Sequence, residues 1–389
     1  MAQKLGLPVY LTLKEIWRNK LRFALVIGVV ALLTILVLFT AALSEGLGSG
    51  NREYLEKLDA ELIVYQDTAQ LQTSSSRIDQ STIRSLRRVE GVKQVGPIAF
   101  SSGTIVRATG KGTLDISLVG VVPGQPGEPP VVQGRSLGRS DAAEAIIDRR
   151  VADQAGLRVG DTMTLKTVQG TDEKEHRVVI IGLSDGRAFF LRPSIFLPYR
   201  AWDKVRAKAV IDDEPGEVIF NIAAVQLDDP SQQAVMAQRL TTQVRNIVAV
   251  DRKTAYQAAP GYTAQQNTLN TQQIFSLLIG ALVIGGFFQI QMLQRVNQIG
   301  MLKAIGASNF TIGVAFILQI ILVTVLGVAV GGAGVAALAL GLPSAIPIAF
   351  NPLGILAAVG ALVLIGPLGG IVAVRSLLKI EPLTALRLS

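Results

Sequence analysis

The chain has 389 residues, 49% of them hydrophobic, with a formal net charge of +8 and a mean hydropathy of +0.43. It is too apolar for an ordinary soluble protein and too charged for a chain held wholly in lipid, which predicts membrane spans joined to one soluble domain. The absence of cysteine excludes a disulfide framework, and a single histidine, His176, excludes a zinc site of the usual His/Cys kind.

In chain order, residues 8–20 are predicted to form an amphipathic helix. Val9, Leu13, Ile16 and Trp17 fall on one face, and Lys14, Arg18 and Lys20 lie elsewhere. Such a helix lies at the membrane interface with its tryptophan at headgroup depth. It serves either as an anchor or as a contact for a cytoplasmic partner. The first span follows over Phe23–Leu43, interrupted only by Thr34 and Thr40. Its basic approach (Lys14, Arg18, Lys20, Arg22) also resembles a signal peptide. The apolar stretch is longer than the ~7–15 residues of a signal core, however, and no A-x-A site follows.

Residues 45–58 and 262–273 can extend the neighbouring spans outward as helical stalks, although Gly46, Gly48 and Gly50 weaken the first. Between them the pattern is α+β. Strands are expected at 61–65, 104–108, 116–122, 145–148, 162–167, 178–183, 195–198 and 218–227. Helices are expected at 79–89 with Asp79 as N-cap, at 200–208 and at 231–246. The Pro/Gly cluster 123–130 is a loop and a candidate junction between two subdomains. His176 falls in a strand, at an exposed or edge position.

The second span is predicted over 274–294. From Ala304 to Val374 there is then no charged side chain at all, a length that holds two crossings of about 20 residues and a tight uncharged hairpin. These are predicted at 311–340 and 352–374, with a short external loop at 341–351. Gly327-xxx-Gly331 is a small-xxx-small face suited to close packing in a bundle that dimerises.

The charges then give the topology. Residues 1–22 carry Lys4, Lys14, Arg18, Lys20 and Arg22 against Glu15. The 295–310 loop carries Arg295 and Lys303, and the tail carries Arg375, Lys379 and Arg387 against Glu381. These residues supply the whole net charge of +8, so residues 44–273 are balanced. The positive-inside rule places both termini and the 295–310 loop in the cytoplasm and the 44–273 domain outside. The basic residues are therefore topology determinants, which removes a nucleic-acid reading of the high pI.

The spans contain no Asp, Glu, Lys, Arg or His, which argues against an ion-coupled pathway. Gln289 and Gln291 suit interhelical hydrogen bonds. The nearest approach to a phosphate loop, Ala108-Thr109-Gly110-Lys111-Gly112-Thr113, lacks the first glycine and places Gly after Lys. Any Ser/His/Asp set would have to use the lone histidine. The chain is therefore read as non-catalytic, with no metal or cofactor of its own.

The 295–308 segment reads Arg295-Val-Asn-Gln-Ile-Gly300-Met-Leu302-Lys303-Ala304-Ile-Gly306-Ala307-Ser308. Taken alone it is a short interfacial connector helix. It also closely resembles the cytoplasmic loop of FtsX/MacB-type (type VII) ABC transporter permeases. So does the order of one span, a large external domain and three spans. The tail Pro382-Leu-Thr-Ala385-Leu386-Arg387 resembles the family's ending, and Ala145–Asp161 its A-x-x-x-G-L-x-V-G-D strand–helix–turn. MacB carries a fused ATPase domain ahead of its first span. This sequence has only 22 residues there, a layout similar to the stand-alone permeases of the DevC type.

The resemblance implies a four-helix membrane protein of the inner (plasma) membrane whose periplasmic domain is the MacB-like core. It implies a homodimer working with a separate ATP-binding subunit, which would use ATP and magnesium, and with a periplasmic adaptor and outer-membrane channel. Arg295, Gly300, Leu302, Lys303, Ala304, Gly306, Ala307 and Ser308 would form the ATPase-coupling element. Ile16, Trp17 and Arg18 would be further contacts. The implied activity is export of lipid, glycolipid, peptide or lipoprotein by mechanotransmission. The alternative is an FtsX-like relay that regulates a cell-wall hydrolase without transport.

Overall fold

The computed structural model describes residues 20–108, 110, 112–208, 219–294, 296, 300, 301, 305, 308–342 and 348–378. The elements in chain order are α1 (Lys20–Glu56), β1 (Leu62–Gln66), β2 (Ile78–Asp79), α2 (Gln80–Leu86), β3 (Val92–Val106), β4 (Thr113–Val121), β5 (Val131–Gly134) and β6 (Glu144–Asp148). There follow α3 (Arg149–Ala155), β7 (Thr162–Gln169), β8 (Asp172–Ser184), β9 (Ser194–Pro198), α4 (Tyr199–Val205), β10 (Ile219–Phe220), β11 (Ile222–Leu227), α5 (Gln233–Gln243) and β12 (Ile247–Asp251). The last are α6 (Arg252–Gln257), α7 (Tyr262–Leu293), α8 (Asn309–Gly341) and α9 (Pro352–Leu378). The chain divides into two units, Met1–Gly46 with Gln266–Ser389, and Leu47–Gln265.

The first unit holds the membrane-length helices. Four helices, α1, α7, α8 and α9, are long and apolar enough to cross a bilayer. At about 1.5 Å per residue, the 37 residues of α1 and the 32 of α7 reach about 55 and 48 Å, well beyond a hydrocarbon core of ~30 Å. Each is a single uninterrupted helix, and α1 runs through Gly46, Gly48 and Gly50 without a break. Thr34, Thr40 and Thr324 turn their hydroxyls onto carbonyls of the preceding turn (Val30, Leu36, Ile320), which satisfies them within their own helix.

The bundle closes on glycine. A Cβ at Gly327 would stand 2.5 Å from Val30 Cβ, and one at Gly331 would stand 2.5 Å from Thr34 Cβ and 2.6 Å from the Ala31 carbonyl oxygen. The expected close-packing face on α8 thus meets α1 of the same chain, because only glycine lets the two backbones approach this closely. Gly285 of α7 and Gly369 of α9 make a second close crossing, and Gly366 of α9 lies against Thr324. Phe23, Val30, Val37, Ile284, Phe288, Phe316, Ile320 and Val323 fill the space between. The side chains of Gln291 and Gln319 are also buried in this unit. The interhelical hydrogen bonds expected of Gln291 are not made, since both its amide atoms are without a partner, as is Gln289 Oε1.

The second unit is built on one ten-stranded sheet and a two-stranded ribbon of β2 and β10. Six strands follow a closed path, β3–β4–β9–β6–β8–β7 and back to β3. The pairs β4/β9 and β6/β8 are parallel and the other four antiparallel. Closure leaves no edge inside this barrel, and its interior is packed by inward residues such as Ile105, Leu118, Ile147, Leu165, Ile180 and Ile195. The first half of β3 leaves the barrel to pair with β11, which leads to β1 and then β12.

Asp79 caps α2 by accepting from the Thr82 N–H, as expected, and Asp148 and Asp251 cap α3 and α6 in the same way. The 123–130 segment is a loop but not a subdomain junction, since the strands on both sides of it belong to one sheet. His176 lies on the stretch of β8 that pairs with β7 alone, so its edge position holds, but the side chain is half-buried.

Candidate functional site

Most of the expected coupling element (Arg295, Leu302, Lys303, Ala304, Gly306 and Ala307) lies outside the described residues, as do Ile16, Trp17 and Arg18. The remaining positions bracket it. Gly300 is helical and buried, and Ser308 is exposed just before α8. Between them Met301 and Ile305 are 51% and 86% exposed, and the Ile305 N–H bonds to the Met301 carbonyl at 3.0 Å. Met301 and Ile305 thus offer apolar side chains outward. Close by, Arg22 Nη1 donates to Gln294 Oε1 at 3.1 Å, tying the start of α1 to the turn after α7.

No group of three or more His, Cys, Asp or Glu residues suited to a metal occurs among the described residues. One sequence signal was overlooked: Gly182-Leu-Ser184-Asp-Gly186 has the G-x-S-x-G spacing of a hydrolase nucleophile. Ser184, however, is fully buried at the end of β8, its hydroxyl directed at the Ile147 carbonyl, and a loop rather than a helix follows. It is a core residue. His176, on the same strand, is kept mainly neutral by burial and by the charge of Lys174, both of which lower its pKa.

The most elaborate polar construction in the second unit surrounds the outer end of α1. Tyr54, Leu55 and Leu58 are buried at 0–2% exposure and belong to the core on one side of the sheet, with Ile98, Val119, Ile146 and Phe196. The Tyr54 ring lies 5.7, 6.0 and 5.5 Å from the rings of Phe100, Phe189 and Phe196, and its hydroxyl donates to the Gly127 carbonyl.

The loop from Asp185 to Arg192 runs along the same two turns of helix. Arg187 Nη1 donates to the Lys57 carbonyl at 2.6 Å, and Lys57 Nζ donates back to the Gly186 carbonyl at 2.8 Å. Glu53 pairs with Lys57 at 3.0 Å and with Arg150 at 3.1 Å. Asp148 accepts from the backbone N–H groups of Arg150 and Arg187. Burial pushes its carboxyl above the usual range in spite of those bonds and of Arg150. Burial also works to raise Asp185, but the bond from Arg187 and the charges of Arg187 and Lys57 outweigh it and hold that carboxyl low. From the opposite side, Arg252 Nη1 of α6 donates to the Glu56 and Leu58 carbonyls, satisfying the helix C-terminus. Sequence reasoning identified the stalk but not its seat, because Arg187 and Arg252 lie 130 and 196 residues from the helix carbonyls they hold.

Comparison with known proteins supplies the family. Residues 23–243 match the MacB-like periplasmic core domain and residues 273–382 the FtsX-like permease C-terminal domain. The chain is 24% identical over 373 residues to a Staphylococcus haemolyticus protein named as hemin transport system permease protein HrtB, covering 96% of this chain and 97% of that one. It is 22% identical over 374 residues to the protein of that name from Staphylococcus epidermidis, with the same coverage of each chain. Among solved structures it resembles the periplasmic region of MacB from Actinobacillus actinomycetemcomitans (14% identity, TM-score 0.37, 53% of this chain and 95% of that one). It also resembles the extracellular domain of the Gram-positive transporter YknZ (17%, TM-score 0.35, 49% and 99%). With both domain models matched in order around four membrane-length helices, the chain belongs to the FtsX/MacB-type ABC transporter permeases, multi-pass membrane proteins that work with an ATP-binding subunit.

Proposed function

We propose that this permease couples ATP hydrolysis by a separate subunit to export, by moving its external domain rather than by opening a path through its own bundle. The observation that carries this is the chemistry of the spans. They hold no ionisable side chain, while α1 and α7 continue as unbroken helices beyond the length a bilayer requires. A lever needs packing and continuity; a polar pathway needs groups that are absent here. The chain itself holds no cofactor, and ATP and magnesium belong to the partner. Two copies pair with two ATPase subunits. Both termini and the 295–308 segment face the cytoplasm, where Gly300, Lys303, Gly306 and Ser308, with Trp17 and Arg18, receive the ATPases. Where the envelope has a second membrane, an adaptor and an outer-membrane channel complete the route.

The cargo is an amphiphile taken from the outer face of the membrane. Lipid, glycolipid, peptide and lipoprotein fit that description. The name carried by the relatives makes hemin the first compound to test. The experiment is co-purification with the ATPase and hemin-dependent ATP turnover in lipid nanodiscs, with Lys303→Glu and Gly306→Leu in parallel. The expected result is loss of the complex, or at least a tenfold loss of turnover, in both variants. Unchanged assembly and turnover would refute the coupling assignment, and turnover indifferent to hemin would remove hemin as cargo.

A further inference from the structure

Two backbone groups of α1 locate the connection between helix and domain more closely than the side chains do. In a regular α-helix the Tyr54 N–H would donate to the Gly50 carbonyl. Here the Tyr54 N–H donates to the Ala188 carbonyl at 3.2 Å, and the Gly50 carbonyl accepts from the Leu191 N–H at 3.1 Å. Both ends of one helical rung are thus engaged by the 185–192 loop.

The loop is held to that shape against its own preference. Phe190 and Leu191 are consecutive non-glycine residues in the left-handed region, with φ of 49° and 61°, which costs about 1–2 kcal/mol each. What holds them is on both sides. Phe189 and Arg192 exchange backbone bonds at 3.0 and 3.1 Å, Phe189 stacks on Phe100 at 4.1 Å, and the Ser117 hydroxyl donates to the Phe189 carbonyl. Gly50 and Leu191 are in close contact, since a Cβ at Gly50 would lie 2.8 Å from Leu191 Cδ2 and 3.4 Å from Leu191 Cα.

We infer that the 185–192 loop and residues 50–58 of α1 form a rigid joint that delivers the movement of α1 to the external domain, with Arg187 as its main positioning residue. This rests on the lever reading above. The Arg187 guanidinium is 7% exposed, pairs with Asp185 and bonds to the Lys57 carbonyl, while its backbone N–H bonds to Asp148. It therefore fixes the loop, the helix end and the α3 cap to one another. Any bending in α1 falls below the joint, at Gly46 and Gly48, where helix propensity is lowest.

The test uses the full permease–ATPase complex in nanodiscs, with spin labels on p-acetylphenylalanine at Glu173 and Gln272. The absence of native cysteine leaves thiols free for cross-linking. In the unmodified protein ATP is expected to shift the label distance. Arg187→Gln should reduce that shift at least twofold with ATP turnover kept within twofold, and Arg139→Gln, at an exposed ion pair, should leave it unchanged. Because Arg187→Gln can also unfold the loop, a second variant, Gly50→Cys/Leu191→Cys, is oxidised to weld the joint and should retain the full shift. A full shift in Arg187→Gln, or a lost shift in the welded protein, overturns the joint while leaving the lever standing. No ATP-driven shift in the unmodified protein overturns both.

Discussion

Gly331 and Gly332 are adjacent in α8 and meet opposite surroundings, so one methyl group placed at each in turn measures the α1–α8 contact. At Gly332 a Cβ meets nothing within 4 Å. At Gly331 it meets Thr34 Cβ at 2.5 Å and the Ala31 carbonyl oxygen at 2.6 Å, one side chain and one piece of backbone. Carbon–carbon contact is comfortable at about 3.5–4.0 Å, so the helices must part by about 1 Å. That costs about 1–3 kcal/mol as overpacking and strips contacts from Val30, Ala31 and Thr34. Both substitutions gain the same helix propensity, about 1 kcal/mol, which cancels in the comparison. Gly331→Ala is therefore expected to be about 1–3 kcal/mol less stable than Gly332→Ala, by SDS titration in mixed micelles followed by circular dichroism. Equal stabilities, within about 0.5 kcal/mol, would show that α1 and α8 do not cross at this glycine.

Trp202 is 4% exposed, packs its ring onto the bare face of Gly120 and donates from Nε1 to the Leu118 carbonyl. Trp202→Ala should cost the external domain about 3–5 kcal/mol, read as a lower calorimetric transition and faster proteolysis between 185 and 208. His176 has a folded-state pKa below its ordinary 6.5, through burial and Lys174. The unfolded chain therefore takes up the proton first, and stability falls as pH drops below about 6.5 and on through the lowered value. Between pH 7 and 5, His176→Gln should lose less melting temperature than the parent protein; an equal loss in both would discard histidine as the titrating group.

The spans were legible because lipid imposes a single rule, about 20 residues without charge, and four segments obey it. The Asp79 cap was legible because the whole motif lies within four residues. The sheet was less so. Strand β3 was expected only from Thr104, because Gly96, Pro97, Ser101, Ser102 and Gly103 all read as strand breakers. Its pairing with β11, β4 and β7 overrides them, and Gly96 is needed because the Pro126 backbone lies against its α-carbon. Strands β2, β5 and β12 and helix α6 were not anticipated, being short and defined by partners rather than by their own pattern. The joint around α1 left no local signal at all. Glu53, Asp148 and Arg187 are ordinary surface-type residues in sequence and become a unit only when three distant segments meet.

The cap on α1 has a consequence for how the protein is made. Glu56 and Leu58 find their partner in Arg252, 196 and 194 residues later, and β1 takes both its neighbours from the same end of the insert, β11 and β12. At about 5–20 residues per second, synthesis leaves the first stalk uncapped and the apolar strand Leu62–Gln66 without either neighbour for about 10–40 s. The nascent domain thus leaves the membrane with this apolar strand first and its fastening last. Its yield is decided by whatever shields β1 during that interval.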